Sequence, residues 1–98
     1  MFIRIAICDD ERAALDYISQ TIETLMAPLG HTASIDCFPR SQLLLNALKS
    51  GAVYQIYFLD IEMPGMDGLE LGESINQINK DTLYNIIYTI TPDFFGLI

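Results

Sequence analysis

An apolar run from Ile56 to Leu59 stops at a single acid, Asp60, and a Met63-Pro64-Gly65 turn and an Asp67-Gly68 pair follow close behind. Nearly unbroken apolar character over a short run fits a strand buried on both faces, as in a parallel sheet. Asp60 then stands at the carboxyl end of that strand, the edge of an open α/β sheet where ligands bind. A second run, Phe2 to Cys8, ends in the acids Asp9, Asp10 and Glu11. Two strands therefore bring carboxylates to one sheet edge.

The rest of the chain alternates between strand and helix patterns. Ile3 to Cys8 reads as the first strand. Leu15, Ile18, Ile22, Leu25 and Leu29 recur every three or four residues, the stripe of an amphipathic helix. Asp9 and Asp10 precede it as candidate caps, and Pro28 and Gly30 end it. Thr32 to Phe38 predicts a second strand. Leu43, Leu44, Ala47 and Leu48 predict a short helix with Ser41 as N-cap, closed by Ser50-Gly51. Val53 to Leu59 is the third strand. Asp67 caps a third helix with an inner stripe of Leu71, Ile75 and Ile78. Asn85 to Ile90 is the fourth strand, and Thr91-Pro92-Asp93 is a turn.

This order predicts an α/β fold, a doubly wound parallel sheet with right-handed crossovers. The flavodoxin-like strand order 2-1-3-4 makes the first and third strands neighbours at the topological switch point. That adjacency would unite Asp9, Asp10 and Asp60.

With 98 residues, the chain supports one domain, residues 1–98. Its formal charge is −8, which repels phosphodiester backbones, so this segment is not expected to contact nucleic acid. No run reaches the roughly 18 apolar residues of a membrane span, and the N-terminus lacks a signal-peptide layout. A cytoplasmic location without membrane contact is the expectation. Cys8 and Cys37 read as reduced core residues. His31 reads as an exposed loop residue.

Converging carboxylates repel one another, and a divalent cation offsets that repulsion. Mg2+ suits the set, because it takes oxygen ligands from one or two carboxylates, waters and a phosphate oxygen. Asp10 and Asp60 can ligate directly, Asp9 through water, and the backbone carbonyl of Glu62 can add a further ligand. Asp60 can then attack a phosphoryl group in line to give an aspartyl phosphate. Gly68 lets the backbone pass close by. Helix capping alone accounts for Asp9, Glu11 and Asp67. It does not account for Asp60, because the following helix has Asp67 as its cap.

The Asp9-Asp10 pair, Phe58-Leu59-Asp60 and Met63-Pro64-Gly65-Met66-Asp67-Gly68 together resemble the receiver domain of two-component response regulators. The long first helix, Cys37-Phe38 and Leu71-Gly72 resemble the receivers that precede LytTR-type DNA-binding domains. The resemblance implies that Asp60 is the phosphoacceptor of a sensor histidine kinase. It also implies that Asp9 and Asp10 form the Mg2+ pocket and that phosphorylation shifts a two-state equilibrium that drives an output domain. Such a domain is not a turnover enzyme; it assists only its own phosphorylation.

Two departures stand against the family pattern. A Thr or Ser should end the fourth strand and contact the phosphoryl group. The alignment puts Ile90 there, with Thr89 one step earlier and Thr91 one step later, so a one-residue slip would make Thr91 the contact. The chain also stops at Ile98, before the fifth strand that would bear a Lys and before the last helix. It reads as a truncated receiver whose fourth-strand region is covered by a second copy, a homodimer. The alternative is a receiver-fold interaction module that no longer uses phosphate. A third reading, a phosphatase with Asp60 as nucleophile, would want an Asp where Glu62 stands.

Overall fold

The computed structural model describes residues 2–90. Seven main elements alternate along it: β1 (Phe2–Cys8), α1 (Arg12–Met26), β2 (Thr32–Phe38), α2 (Ser41–Lys49), β3 (Ile56–Asp60), α3 (Gly68–Ile78) and β4 (Asn85–Thr89). A 3-10 turn, Ala27–Leu29, follows α1. All strand pairs are parallel and the order is β2-β1-β3-β4, as the alternation predicts. The expected turn at Thr91-Pro92-Asp93 lies outside the described residues.

Strand alternation divides the core between two faces. Ala6 and Cys8 of β1 and Tyr57 and Leu59 of β3 face α2 and α3, where they meet Leu44, Leu45, Leu48, Leu71 and Ile75. Ile5, Ile7, Ile56 and Phe58 point the other way, toward Leu15, Ile18, Ile22 and Met26 of α1. Helices thus cover both faces, and β1 and β3 carry the burial.

Several expectations need correction. The α1 stripe runs through Met26, whereas Leu25 and Leu29 are 65% and 68% exposed. Steps of three, four and four residues (15, 18, 22, 26) hold one face at 3.6 residues per turn, and the shift to a 3-10 turn changes the phase for Leu29. Neither Asp9 nor Asp10 is the α1 N-cap; Glu11 is, without a side-chain capping bond. Likewise, Arg40 rather than Ser41 is the N-cap of α2, and Leu45 takes the core place expected for Leu43. Ile78 is exposed, and α3 faces the core through Leu71 and Ile75. Cys37 is exposed because β2 is an edge strand. His31 is half-buried, and its Nδ1 is buried without a hydrogen-bond partner.

A polar cluster fastens the β1–β2 edge. The Tyr54 hydroxyl donates to Asp36 Oδ2 at 2.6 Å, Arg4 pairs with the same oxygen at 3.7 Å, and the Arg4 guanidinium lies 5.1 Å from the Tyr54 ring centre. Burial, then the bond to Asp36, holds the Tyr54 phenol well above its usual range. The folded chain therefore keeps this proton more tightly than the unfolded chain. That stabilisation is complete below about pH 10 and is lost as pH rises through the folded value. Tyr54→Phe should cost about 1–3 kcal/mol at pH 7. It should also flatten the alkaline fall in melting temperature, which thermal denaturation at a series of pH values above 9 would read.

Candidate metal and phosphoryl site

Strand register brings the acids together. Cys8 pairs with Leu59, so the next residues, Asp9 and Asp60, stand side by side at the carboxyl ends of β1 and β3. Asp9 is 1% exposed and Asp60 is 0% exposed, while Asp10 faces solvent. One oxygen from each of the three carboxylates lies within 4.8 Å of the others. Opposite corners of a Mg2+ octahedron are about 4.2 Å apart, twice the bond length of about 2.1 Å. The three carboxylates therefore fit a magnesium-sized ion with little adjustment. Their all-oxygen chemistry suits a hard cation.

Each buried acid also bends its own chain. Asp9 Oδ1 accepts from the Glu11 N–H at 2.9 Å, and Asp60 Oδ1 accepts from the Glu62 N–H at 3.1 Å. These local bonds are the Asx turns that Asp forms readily at strand exits. The Glu62 side chain is exposed, and its backbone belongs to the loop leaving Asp60.

That loop is tied down at three points. Gly65 turns it with φ 77°. The buried Ser41 hydroxyl at the start of α2 donates to the Met66 carbonyl at 2.9 Å. At the far end, Asp67 and Glu70 form a capping box: the Glu70 N–H donates to Asp67 Oδ1 at 2.9 Å and the Asp67 N–H donates to Glu70 Oε1 at 3.4 Å. Gly68 then packs directly on the Asp60 backbone, as its lack of a side chain suggests.

Beneath the acids lies the Cys8 thiol, 3.9 Å from the Met63 sulfur. Burial pushes this thiol up to about 12, and the fields of Asp9, Asp60 and Asp10 add to the rise while a contact with Ser41 opposes it. Cys8 thus remains a neutral thiol, and the cluster presents oxygen ligands alone.

Sequence reasoning missed the place of one residue here. Ser41 was expected to cap its own helix, but its partner is 25 residues away, across a contact with no local signal. In the strand register, Thr89 pairs with Asp60. Thr91 itself lies outside the described residues, and Ile90 is 62% exposed. No described helix is long and apolar enough to cross a membrane.

Solved structures share this fold. The response regulator TrrA of Thermotoga maritima, solved with Mg2+ and BeF, is 26% identical over 97% of this chain and 92% of its own, with a TM-score of 0.70. In a complex of the histidine kinase ThkA with TrrA, the match is 29% identical over 91% of this chain and 69% of the other, with a TM-score of 0.62. A two-component transcriptional regulator, AraC, from Clostridium phytofermentans is 28% identical over 97% and 70%, with a TM-score of 0.70. Of the DrrB and CKI1 chains, from Thermotoga maritima and Arabidopsis thaliana, this chain spans 40–74% of the length at 17–21% identity. No curated protein gives a significant match. The family described as the response regulator receiver domain matches residues 5–94. The chain belongs to that family, the receiver domains of response regulators.

Proposed function

We propose that residues 1–98 form a single receiver unit in which Asp60 accepts a phosphoryl group from a sensor histidine kinase and switches an output. The observation that carries this reading is the convergence of three carboxylates within 4.8 Å at the carboxyl edge of the sheet. Asp10 and Asp60 would hold Mg2+ directly, Asp9 through water, and the Glu62 carbonyl would complete the protein ligands. When bound, Mg2+ supplies positive charge that offsets the oxygens of the transferring group. Asp60 acts as the nucleophile. Asp9 and Asp10 orient the pocket, and the Ser41 bond to Met66 keeps the loop from opening. Thr91, or Thr89 beside Asp60 in register, would contact the phosphoryl group.

The chain would work as a signalling phosphoacceptor rather than a turnover enzyme. The kinase partnership is supported by the ThkA complex of the relative TrrA. The LytTR-like features favour a DNA-binding output domain in the full-length protein, working in the cytoplasm, while the charge of −8 keeps this segment itself off nucleic acid. A homodimer across β4 is supported by Ile87 and Tyr88, which are 44% and 41% exposed on the outermost strand among the described residues. Ile90, standing where the family pattern has a hydroxyl, favours the second reading, an interaction module that no longer uses phosphate.

Intact-mass measurement separates the two. With Mg2+ and a small phosphoryl donor, the chain should gain one phosphoryl group, mapped to Asp60 by peptide analysis. A chain that gains none, from small donors or from histidine kinases, is the interaction module.

A further inference from the structure

Among the described residues nothing pairs with the outer edge of β2, and its seven residues run beside β1 in one unbroken register from Phe2 and Thr32 to Cys8 and Phe38. The Asp9 N–H donates to the Phe38 carbonyl at 3.1 Å, so the backbone groups of Phe38 face β1. Successive residues of a strand turn their N–H and C=O to opposite sides, which aims those of Ala33, Ile35 and Cys37 outward. Proteins commonly blunt such an edge with Lys, Pro or a bulge. β2 has none of these, and its single charge, Asp36, is taken up by Arg4 and Tyr54. Both faces beside the edge are hollowed. Phe38 packs with the α2 side of the core, and Ile35, in phase with Cys37, packs with the α1 side. On the α2 side, Phe38, Ala47, Ala52 and Tyr54 line a groove of about 630 Å3 together with the Arg4–Asp36 pair. On the α1 side, Asp10, Arg12, Leu15, Asp16 and Cys37 line a hollow of about 290 Å3. Acids dominate the surroundings of Cys37: burial raises its thiol, and the fields of Asp16, Asp36 and Glu23 raise it further. Asp16 and Glu23 are both exposed on α1.

We propose that β2 takes up an extended basic segment of a partner protein as an added strand, with Lys or Arg over the α1 face and alternate apolar side chains over the α2 face. Backbone bonds to Ala33, Ile35 and Cys37 hold the segment, and the hollows select its side chains. Side chains on a strand alternate between the two faces of the sheet. A segment that alternates basic with apolar residues therefore sets all its cations beside Asp16 and Glu23. Its apolar residues then lie beside Phe38, Ala47 and Tyr54, where the groove offers aromatic and methyl surface. A second copy of this chain is a poor occupant. It carries the same charge of −8 and would set acid against acid along the edge.

Fluorescence anisotropy on the full chain provides the test. The probe is a labelled, end-capped peptide of alternating Lys and Val, as long as β2. It should bind saturably with a Kd below about 1 mM. The same peptide N-methylated along its backbone keeps its charge but loses its donors, and should bind at least about tenfold more weakly. A peptide with Glu in place of Lys should not bind. The double variant Asp16→Asn, Glu23→Gln should weaken the Lys-Val peptide about threefold, the scale of two exposed ion pairs. Cys37→Pro removes one outward N–H at a place where an edge strand tolerates Pro, and should weaken binding at an unchanged melting temperature. Equal binding of the N-methylated peptide, or of one with its Lys and Val in two separate blocks, would reveal charge attraction alone and overturn the added strand. Absence of saturable binding overturns it as well. Self-association of the chain that is lost in Cys37→Pro would give the edge to a second copy instead and overturn the basic partner.

Discussion

Asp60→Asn is expected to abolish two responses at once: the gain of one phosphoryl group and the rise in melting temperature on adding Mg2+. The variant is a test of chemistry rather than of folding. A carboxamide oxygen can still accept the Glu62 N–H that Asp60 Oδ1 accepts at 3.1 Å, so the Asx turn leaving β3 is preserved. The charge is lost, however, and with it the oxygen proposed both to ligate and to attack. Ligand binding to the folded state stabilises it by about 2.7 kcal/mol at a hundredfold excess over Kd. For a domain of this size, each kcal/mol is worth about 4–8 °C, so saturating Mg2+ should raise the parent's melting temperature by about 10–20 °C over a chelated sample. Asp10→Asn should lose much of the same rise, because it removes the exposed member of the cluster. An Asp60→Asn protein that still gains stability from Mg2+ would show that the ion sits elsewhere.

The framework of this site is readable in the sequence because it depends on period and order. Alternating strand and helix patterns leave few topologies, and a parallel sheet with β1 beside β3 then forces Asp9 and Asp60 together. The Asp67–Glu70 capping box is equally local, with both partners inside one helical turn. Features that depend on contacts distant in sequence were not readable. Nothing near Ser41 indicates that its hydroxyl serves the Met66 carbonyl instead of its own helix. Cys37 follows the apolar pattern of a core strand, but β2 lies at the sheet edge, and that is a property of the whole topology. The exposure of Leu29 depends on a shift to a 3-10 turn just past the end of α1. A groove lined by Asp10, Arg40 and the Met63–Met66 loop draws on three segments more than twenty residues apart in sequence, so Arg40 carries no local mark of its place.

Gly68→Ala and Gly72→Ala should have opposite outcomes although both lie in α3. Helix propensity alone favours Ala over Gly by about 1 kcal/mol in a helix interior, and predicts a gain at Gly72 and at most that at Gly68. Packing reverses the sign at Gly68. A Cβ there would sit 2.7 Å from the Asp60 carbonyl carbon, closer still to its oxygen, and 3.0 Å from the Ile61 Cα. All of these are backbone atoms at the exit of a central strand, and Ile61 is further held by its N–H bond to the Thr89 carbonyl at 2.8 Å. Relief requires α3 to lift or the Asp60 turn to move, an overpacking cost of about 1–3 kcal/mol or more. A fall in melting temperature of about 5–20 °C should follow. The same displacement carries Asp60 away from Asp9 and Asp10, so Mg2+-dependent stabilisation should shrink along with stability. At Gly72, the new Cβ meets the hydroxyl of Tyr88, the far end of a side chain that is 41% exposed and able to swing aside. Gly72→Ala should therefore leave stability within about 1 kcal/mol of the parent and leave the Mg2+ response intact. Equal behaviour of the two variants in thermal melts with and without Mg2+ would mean that the Gly68 contact does not hold Asp60 in place.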